Sequence, residues 1–416
     1  MKEYISLIKK ELHPAFGCTE PIALAYAAAK AVSVLGEFPR HMHARCSANI
    51  IKNVKSVTIP NAGGRKGLAC AAILGALVGQ PERELEVLEV ATDEHRARLN
   101  QLLNSDFCSL ELAEGVDNLF IEITAETDAH KAIVRIEQAH THVTYIELDG
   151  NILVQDTTDY HYDSTHCSMT FQSIYDFAKN GDITEVVPTI QQQIQYNTAI
   201  SEEGLRNSYG ANIGQLLLLD EKNPSMEITC KARAAAGSDA RMSGCPLPVV
   251  ICSGSGNQGL AVSMPIITAA EMFKSTEEDL LRALVFANLL TLYIKMGIGK
   301  LSAYCGVITA GTVGVAGVAF LKGESQQIVE ETITNGLVSL SGIVCDGAKP
   351  SCAGKISIAI DGAFMGYKQA RLNKSYEKGD GLVCSSVDET IRSIGIIAKE
   401  GMKETDVVIL TEMLKH

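Results

Sequence analysis

Apolar residues recur at helical spacing over most of the chain, and this pattern predicts a fold dominated by helices. Residues 2–12 predict a first helix, and 19–36 predict a second with Thr19 as its cap. A third helix is predicted over 66–79, apolar on nearly every side and therefore buried. The region 43–59 is rich in valine and isoleucine, which predicts an extended segment.

The pattern changes in a central part of the chain. Residues 83–104 form a charged amphipathic helix pattern. Apolar and polar residues then alternate with a period of two over 118–149, which predicts two or three antiparallel strands with a hairpin near Asp128. Helical patterns return from about residue 165.

These patterns predict an α+β fold class with two parts. A mainly α-helical domain would be formed by residues 1–82 and 165–416, and a small α+β subdomain, residues 83–164, would be inserted into it. In the second helical part, glycine-rich loops separate apolar helices, one of them predicted over 353–370.

Charge and hydropathy narrow the classes of partner. The net charge of -13 and the pI near 5.3 argue against nucleic acid and anionic membranes, because the chain has no basic excess. No signal-peptide pattern is found at the N-terminus, so we expect a cytoplasmic protein. The uncharged stretch 301–321 is long enough for a membrane span, but its four glycines favour a buried core helix.

Two of the twelve cysteines lie on one short charged loop, CDGAKPSC, residues 345–352. Cys345 and Cys352 are separated by loop-forming residues, and Cys305 lies 40 positions before the first of them. Thiolates of this kind hold iron–sulfur clusters, and three ligands would leave one iron open. Ordinary loop cysteines remain an alternative, as does zinc, although no H-x3-H or C-x2-C pair lies nearby.

A further thiol, Cys18, lies in HPAFGCTEP at the start of the second predicted helix. The partial positive charge of a helix N-terminus would lower its pKa and make it a base, a nucleophile or an iron ligand. A cysteine beside an ordinary helix start is the alternative interpretation.

Two glycine-rich loops offer backbone N–H groups to an anion. PNAGGRKG (60–67) precedes the third predicted helix, and Arg65 and Lys66 would add positive charge to it. CSGSGNQG (252–259) is similar to the carboxylate-binding loop of pyridoxal-phosphate enzymes, with Lys231 as a rival Schiff-base candidate. The chain lacks the repeated βα pattern of such a fold, so a different amino-acid site is the alternative.

Taken together, these motifs resemble the L-cysteine desulfidases, which are grouped with the alpha chain of the iron–sulfur L-serine dehydratases. The resemblance spans nearly the whole chain. It is carried by GCTEP, PNAGGRKG, AGSDARMSG, GSGNQG, Cys305, CDGAKPSC and the AGK that follows.

The resemblance implies a mostly helical catalytic domain and an oxygen-sensitive 4Fe–4S cluster held by Cys305, Cys345 and Cys352. It implies β-elimination of L-cysteine to pyruvate, ammonia and sulfide without pyridoxal phosphate. The serine dehydratase branch carries a cysteine close to its C-terminus, whereas the last cysteine here is Cys384, 32 residues from the end. This departure favours the desulfidase branch, with Cys18 as an auxiliary catalytic thiol.

The expected partner is a small amino-acid substrate, and a homo-oligomer is expected. The α-carboxylate would be held by the two glycine-rich loops. The candidate substrate-binding residues are Asn61, Gly64, Lys66, Ser255 and Asn257. An L-serine dehydratase of the same type, a pyridoxal-phosphate lyase and a non-catalytic amino-acid-binding or redox-sensing protein are the alternative functions.

Overall fold

Helices form most of the protein, whose computed structural model describes residues 2–158, 169–299 and 301–415. The model is 59% helical with 12% strand, which confirms the predicted α+β class. The α-helices of these residues are α1 (Lys2–Glu11), α2 (Thr19–Leu35), α3 (Ala48–Val54), α4 (Leu68–Val78), α5 (Asp93–Leu103), α6 (Phe171–Asn180), α7 (Val187–Arg206), α8 (Ile213–Leu218), α9 (Met226–Met242), α10 (Gly256–Phe273), α11 (Glu277–Ile298), α12 (Gly306–Leu321), α13 (Gln326–Leu340), α14 (Ser351–Arg371), α15 (Val387–Ile396) and α16 (Lys403–Leu414).

The strands form one large and one small sheet. They are β1 (Pro14–Phe16), β2 (His41–Cys46), β3 (Cys108–Leu112), β4 (Phe120–Glu126), β5 (Lys131–Glu137), β6 (Val143–Leu148), β7 (Asn151–Gln155) and β8 (Pro248–Val250). The large sheet has the order β3-β2-β4-β5-β6-β7, with β2 parallel to β3 and every other pair antiparallel. The β4–β5 hairpin turns at residues 127–130, as the alternating pattern predicts.

The large sheet includes a strand that precedes the predicted insertion. β2 pairs with β3 and β4, so the sheet draws on residues before position 83. The other predicted boundary, at residue 164, lies outside the described residues. The division into two domains therefore stays a prediction.

Two sequence-based boundaries need correction. The extended prediction for 43–59 is wrong beyond Cys46, because Ala48–Val54 is helical. The side chain of Ser47 caps this helix by accepting from the N–H of Ile50 at 3.4 Å, and Ile50 and Val54, one helical turn apart, are then fully buried on the same face. Within 83–104, only Asp93–Leu103 forms an α-helix.

The C-terminal half is built around buried, small-residue helices. α12 lies against α10, α11, α13 and α14 and is buried over most of its length. A Cβ at Gly314 would stand 2.6 Å from the Ala261 carbonyl oxygen, so glycine is required for α10 and α12 to approach this closely. The stretch tested as a membrane span is thus a buried core helix.

One other helix, Glu277–Ile298, is long and apolar enough to cross a membrane by length and composition. In this structure 78% of its apolar window is buried inside the protein, as in the core helix of a helical domain.

Candidate cluster and substrate site

A short backbone ladder brings Cys305 beside Cys345. The N–H of Cys345 donates to the carbonyl of Ala303 at 2.7 Å, and the N–H of Cys305 donates to the carbonyl of Ile343 at 3.2 Å. Tyr304 and Val344 form the antiparallel bridge between these two bonds. Two thiols 40 residues apart in the chain are therefore fixed next to each other by backbone geometry.

The loop that leads from Cys345 to Cys352 is held against α3. Gly347 has a φ of +95°, and a Cβ there would lie 2.7 Å from the carbonyl oxygen of Lys52. Glycine is the residue that tolerates both this dihedral angle and this close approach. The thiol of Cys352 lies 3.7 Å from the Gly347 carbonyl, which closes the loop back toward Cys345.

Two of the three thiols lie at helix N-termini. Cys305 is the N-cap residue of α12 and makes no side-chain capping bond. Cys352 is in the first turn of α14, directly after Pro350 and Ser351. The free N–H groups and the helix dipole at such positions favour negative charge, but they do not prevail here. The pKa of Cys305 is raised well above its ordinary value, first by its hydrogen bond with the Cys345 thiol and then by burial, and burial raises the pKa of Cys352 to about 11.

Three lysines act on the same thiols. Lys52 of α3 is buried and forms an ion pair with Asp406 of α16. Lys355 of α14 donates to the carbonyl of Val344 at 3.0 Å and forms an ion pair with Asp346. The pKa of Cys345 is lowered to about 6, first by its interaction with the neighbouring Cys305 thiol and then by these two ammonium groups.

The third lysine, Lys295 of α11, is buried and makes neither a hydrogen bond nor an ion pair with a described residue. Burial lowers its pKa to about 8, and this effect is opposed by Cys345, Cys305 and Cys252. Lys295 therefore lies among the cysteines as a buried amine that is paired with no carboxylate of the described ranges.

Cys18 is the N-cap residue of α2, and its thiol approaches the Met242 Sδ at 3.7 Å. The predicted lowering of its pKa is wrong. Burial raises the pKa of Cys18 to about 12, Arg241 opposes this rise, and Glu20 adds to it. The helix N-terminus does not compensate, because the side chain is only 1% exposed and has left water almost completely.

The loop 252–259 lies beside Cys18. The small β1–β8 sheet pairs the segment before α2 with the segment before α10, and Thr19 donates to the Gly254 carbonyl at 2.9 Å. Ser255 caps α10 by accepting from the N–H of Gln258. Asn257 donates to the same Met242 Sδ at 3.6 Å, so the fold brings these predicted candidates together.

Gln258 connects this loop to the cysteine group. A Cβ at Gly306 would lie 2.6 Å from the Gln258 Cδ, and Gly306 directly follows Cys305. Cys18 also acts electrostatically on the same region, since Cys352 contributes to the rise in its pKa. Cys18, the 252–259 loop and the three predicted ligands therefore surround one common region.

The other glycine-rich loop, 60–67, begins beside Gly17, because a Cβ there would stand 2.2 Å from the Pro60 Cγ, and its three candidate residues lie farther along the loop. The side-chain amide of Asn61 donates to the carbonyls of Leu88 and Glu89 at 3.0 and 3.1 Å. Lys66 is exposed, and a Cβ at Gly64 would meet no atom within 4 Å. These contacts place the loop against the segment before α5, so the three residues stay predictions without a described contact to the cysteines.

Residue pattern alone did not identify several charged groups of the site. Arg241, Glu20 and His140 are buried beside Cys18, His140 being supplied by the turn between β5 and β6. Burial alone would raise the pKa of Glu20, but His140 and Arg241 outweigh it and lower the pKa. Arg241 lies in AGSDARMSG and Glu20 in GCTEP, so two of these charged residues belong to motifs that carry the family resemblance.

Lys231, the rival Schiff-base candidate, forms an ion pair with Asp361 of α14 at 2.5 Å. Its ammonium group is thus engaged in a contact that joins α9 to α14.

The eleven cysteines in the described ranges are all free thiols, and Cys167 lies outside those ranges.

No three His, Cys, Asp or Glu side chains in the described ranges are gathered closely enough to hold a metal ion. The chemistry of the donors, three thiols, is that of an iron–sulfur site.

Comparison with known proteins places these features in a family. The model of the serine dehydratase alpha chain matches residues 82–411. UPF0597 proteins of Finegoldia magna and Lachnoclostridium phytofermentans are each 44% identical, over 100% and 99% of both chains respectively. A UPF0597 protein of Treponema denticola is 39% identical over 100% of this chain and 98% of its own. The chain therefore belongs to the serine dehydratase alpha-chain family.

Proposed function

We propose that this protein is an iron–sulfur-dependent lyase that converts L-cysteine to pyruvate, ammonia and hydrogen sulfide. A 4Fe–4S cluster would be held by Cys305, Cys345 and Cys352. Membership of the serine dehydratase alpha-chain family supports a lyase of this type. The observation that carries the proposal is the backbone ladder that sets Cys305 beside Cys345, with Cys352 on the loop that follows.

The charges around the three thiols fit such a group. Thiolates and cluster sulfides together carry negative charge, and burying that charge requires compensation. Lys52, Lys295 and Lys355 supply positive charge, and the N-termini of α12 and α14 add N–H groups. This arrangement supports the proposal without requiring a fourth cysteine.

The reaction requires sulfide to leave Cβ and a proton to leave Cα for a base, which would be the thiolate form of Cys18 or a group beside it. The electron pair of the Cα–H bond becomes the new C=C bond, and the pair of the Cβ–S bond departs with sulfur. The enamine product then hydrolyses to pyruvate and ammonia. When bound, a cluster with an open iron supplies a Lewis acid that eases the departure of the sulfur.

Cys18 is the proposed auxiliary thiol of this site. Its pKa of about 12 makes it a neutral proton carrier in the structure, hydrogen-bonded to Met242. Its thiolate would be stabilised by Arg241 and disfavoured by Glu20. We expect Cys18→Ala to retain iron while kcat falls about 10²–10⁴-fold, the usual contribution of a positioned acid or base. A fully active Cys18→Ala protein would remove this residue from the mechanism.

Metal analysis after anaerobic purification is the first test of the proposal. We expect about four irons and four sulfides per chain, and release of sulfide and pyruvate from L-cysteine in equal amounts. Cys345→Ser should abolish the visible absorbance of the cluster and the activity together. Full activity in protein that contains no iron would refute the scheme.

Cys108→Ser is the matched control for this experiment. Cys108 is also partly buried, and it lies in β3, a strand of the large sheet. The substitution should leave iron content and turnover unchanged. Equal iron loss in both variants would indicate a general effect of replacing a cysteine and would not support a ligand role for Cys345.

L-Serine is the second candidate substrate, because the matching family model is that of a serine dehydratase. Elimination from serine expels hydroxide in place of sulfide and needs the same Cα proton transfer. Comparison of kcat/KM for the two amino acids decides between them. A higher value for L-serine would replace the desulfidase assignment while leaving the cluster proposal intact.

A further inference from the structure

Arg241 is a buried guanidinium that forms no direct ion pair with a described residue, although the Glu20 carboxylate is near enough for Arg241 to help lower its pKa. The residue is 3% exposed, near the C-terminal end of α9. Its Nε donates to the Gly17 carbonyl at 3.1 Å, and its two terminal nitrogens make neither a hydrogen bond nor an ion pair with a described residue. A buried cation in this state is costly, so its retention indicates a negatively charged partner that is not part of the chain.

Arg233 shows what a structural arginine looks like on the same helix. It lies two helical turns before Arg241 and is 8% exposed. Its two terminal nitrogens donate to the Glu271 carboxylate at 2.5 and 3.2 Å, and one of them also donates to Thr268. The contrast between the two arginines is therefore one of pairing, since residue type, helix and burial are alike.

Two unpaired acceptors lie beside the Arg241 side chain. They follow Gly256, the first residue of α10, which is close to the guanidinium because a Cβ at Gly256 would stand 2.4 Å from the Arg241 Nε. The next two residues, Asn257 and Gln258, are 6% and 4% exposed, and the side-chain oxygen of each has no hydrogen-bond donor in the described ranges. Buried amide oxygens normally have a donor, so these two also indicate a missing partner.

An unpaired guanidinium next to two unpaired carbonyl oxygens complements one kind of ligand. The guanidinium matches a carboxylate, and the amide oxygens match an ammonium group. An α-amino acid zwitterion carries both groups on a single carbon atom. Gln258 also lies against Gly306, so a ligand held here would adjoin the Cys305 end of α12.

We infer that Arg241 binds the α-carboxylate of the amino-acid substrate and that Asn257 and Gln258 accept hydrogen bonds from its α-ammonium group. This inference rests on the proposed function for the identity of the site, and it adds the residues that recognise the substrate. Arg241 and Gln258 were not among the sequence-based candidates. The site would bind the α-carboxylate and the α-ammonium group of the amino acid and leave its Cβ and sulfur free to react.

Three small probes separate the two contacts without any turnover. L-2-Aminobutyrate has the zwitterion of L-cysteine but no leaving sulfur, butyrate lacks the ammonium group, and propylamine lacks the carboxylate. Their affinities for the anaerobically reconstituted full-length protein can be measured by calorimetry. We expect L-2-aminobutyrate to bind about 10- to 100-fold more tightly than either relative, the range expected for one charged hydrogen-bonded contact.

Variants assign each contact to its residue. Arg241→Gln should abolish the preference over propylamine and preserve the preference over butyrate. Gln258→Leu combined with Asn257→Leu should abolish the preference over butyrate and preserve the preference over propylamine. Arg241→Lys, which retains the charge, should keep part of the preference over propylamine. The control Arg233→Gln should change stability and leave both preferences as they are in the wild-type protein.

The inference fails if wild-type protein binds the three probes alike, a result that does not depend on whether any variant folds. It also fails if Arg241→Gln weakens binding of L-2-aminobutyrate and propylamine by the same factor. Loss of the proposed function would look different, because protein without iron or sulfide release would still show the probe preferences. Retained elimination with unchanged preferences in Arg241→Gln would contradict only the inference.

Discussion

The large sheet differs from the part of the helical body around the cysteines in whether its buried charges form ion pairs. In the sheet, the buried Glu122 of β4 accepts from Arg45 at 2.7 Å and from Arg135 at 2.6 and 2.9 Å. In the helical body, Arg241 and Lys295 are buried, and neither forms an ion pair with a described residue, although Arg241 is near enough to Glu20 to help lower its pKa. The buried carboxylate of the sheet is thus paired with arginines of the same sheet, whereas these two buried cations form no ion pair with a described residue.

The difference teaches where to look for function. Pairing offsets the desolvation of a structural charge, whereas an unpaired buried charge lowers stability unless a ligand completes it. The asparagine side chains of the two glycine-rich loops differ in the same way, in whether their polar groups have hydrogen-bond partners. Asn61 in one loop donates to two carbonyls, whereas the side-chain oxygen of Asn257 in the other has no donor among the residues that the structure describes. Asn257 and Gln258 are thus among the buried side chains whose oxygens have no donor in the described ranges, and they adjoin the unpaired end of Arg241.

The largest effect should come from Gly347→Val. The added side chain would require a strained φ of +95° and would clash with the Lys52 carbonyl. We expect loss of the iron, loss of turnover and a fall of about 2–4 kcal/mol in the free energy of unfolding, measured by metal analysis and urea titration. Gly354→Ala on α14 is the control, because a Cβ there meets nothing within 4 Å. Iron loss in both variants would contradict the explanation.

A pair of substitutions then tests the comparison directly. Glu122→Gln should lower the free energy of unfolding by about 2 kcal/mol, since it weakens charged hydrogen bonds, and should leave kcat/KM unchanged. Arg241→Gln should lower kcat/KM about 10- to 100-fold while changing stability by less than about 1 kcal/mol. Denaturant titration gives the free energy of unfolding of each variant, and steady-state kinetics give its kcat/KM. Similar changes in both variants would remove the distinction between the two regions.

The pH dependence of stability should also locate the paired charge. Burial alone would raise the pKa of Glu122, but Arg135 and Arg45 outweigh it and hold the pKa below the ordinary 4.5. A lowered folded-state pKa stabilises the ionised form, so the contribution is complete above pH 4.5 and is lost as pH falls through the folded-state pKa. The stability gap between wild type and Glu122→Gln should therefore be constant from pH 7 to about pH 5.5 and shrink below pH 4.5. A gap that widens on acidification would contradict the pairing.

The smallest effect is expected for Lys66→Met in the outer glycine-rich loop. The side chain is exposed and makes no described contact with the cysteine region. Stability should stay within about 0.5 kcal/mol of wild type, and kcat/KM should stay within about twofold. A larger kinetic loss would restore the 60–67 loop to the substrate site and weaken the contrast between the two loops.

Local pattern was sufficient for many elements. The apolar run of α4, the apolar stretch of α12 and the alternation of β4 and β5 each predict the element that forms. It was insufficient at Ala48–Val54, where valine and isoleucine suggested a strand. There the Ser47 cap and a shared buried face decided for helix, and both depend on neighbours that the apolar content does not reveal.

Some features of the site could likewise be predicted from local sequence, and others could not. The cysteine spacing and the two glycine-rich loops were visible in the sequence, but their proximity was not. Cys305 and Cys345 meet through backbone pairing across 40 residues, and Cys18 meets the 252–259 loop through the β1–β8 sheet. The Cys18 pKa was predicted in the wrong direction, because an N-cap position is a local property and complete burial is not.

The sequence by itself determined the helical majority, the alternation of the sheet and the supply of thiols and glycine-rich turns, because these depend on residues close together in the chain. The tertiary structure decided which thiols are neighbours, which charges are paired and which thiol stays protonated. These properties depend on dielectric environment and on partners from distant segments, and both exist only after the chain has folded.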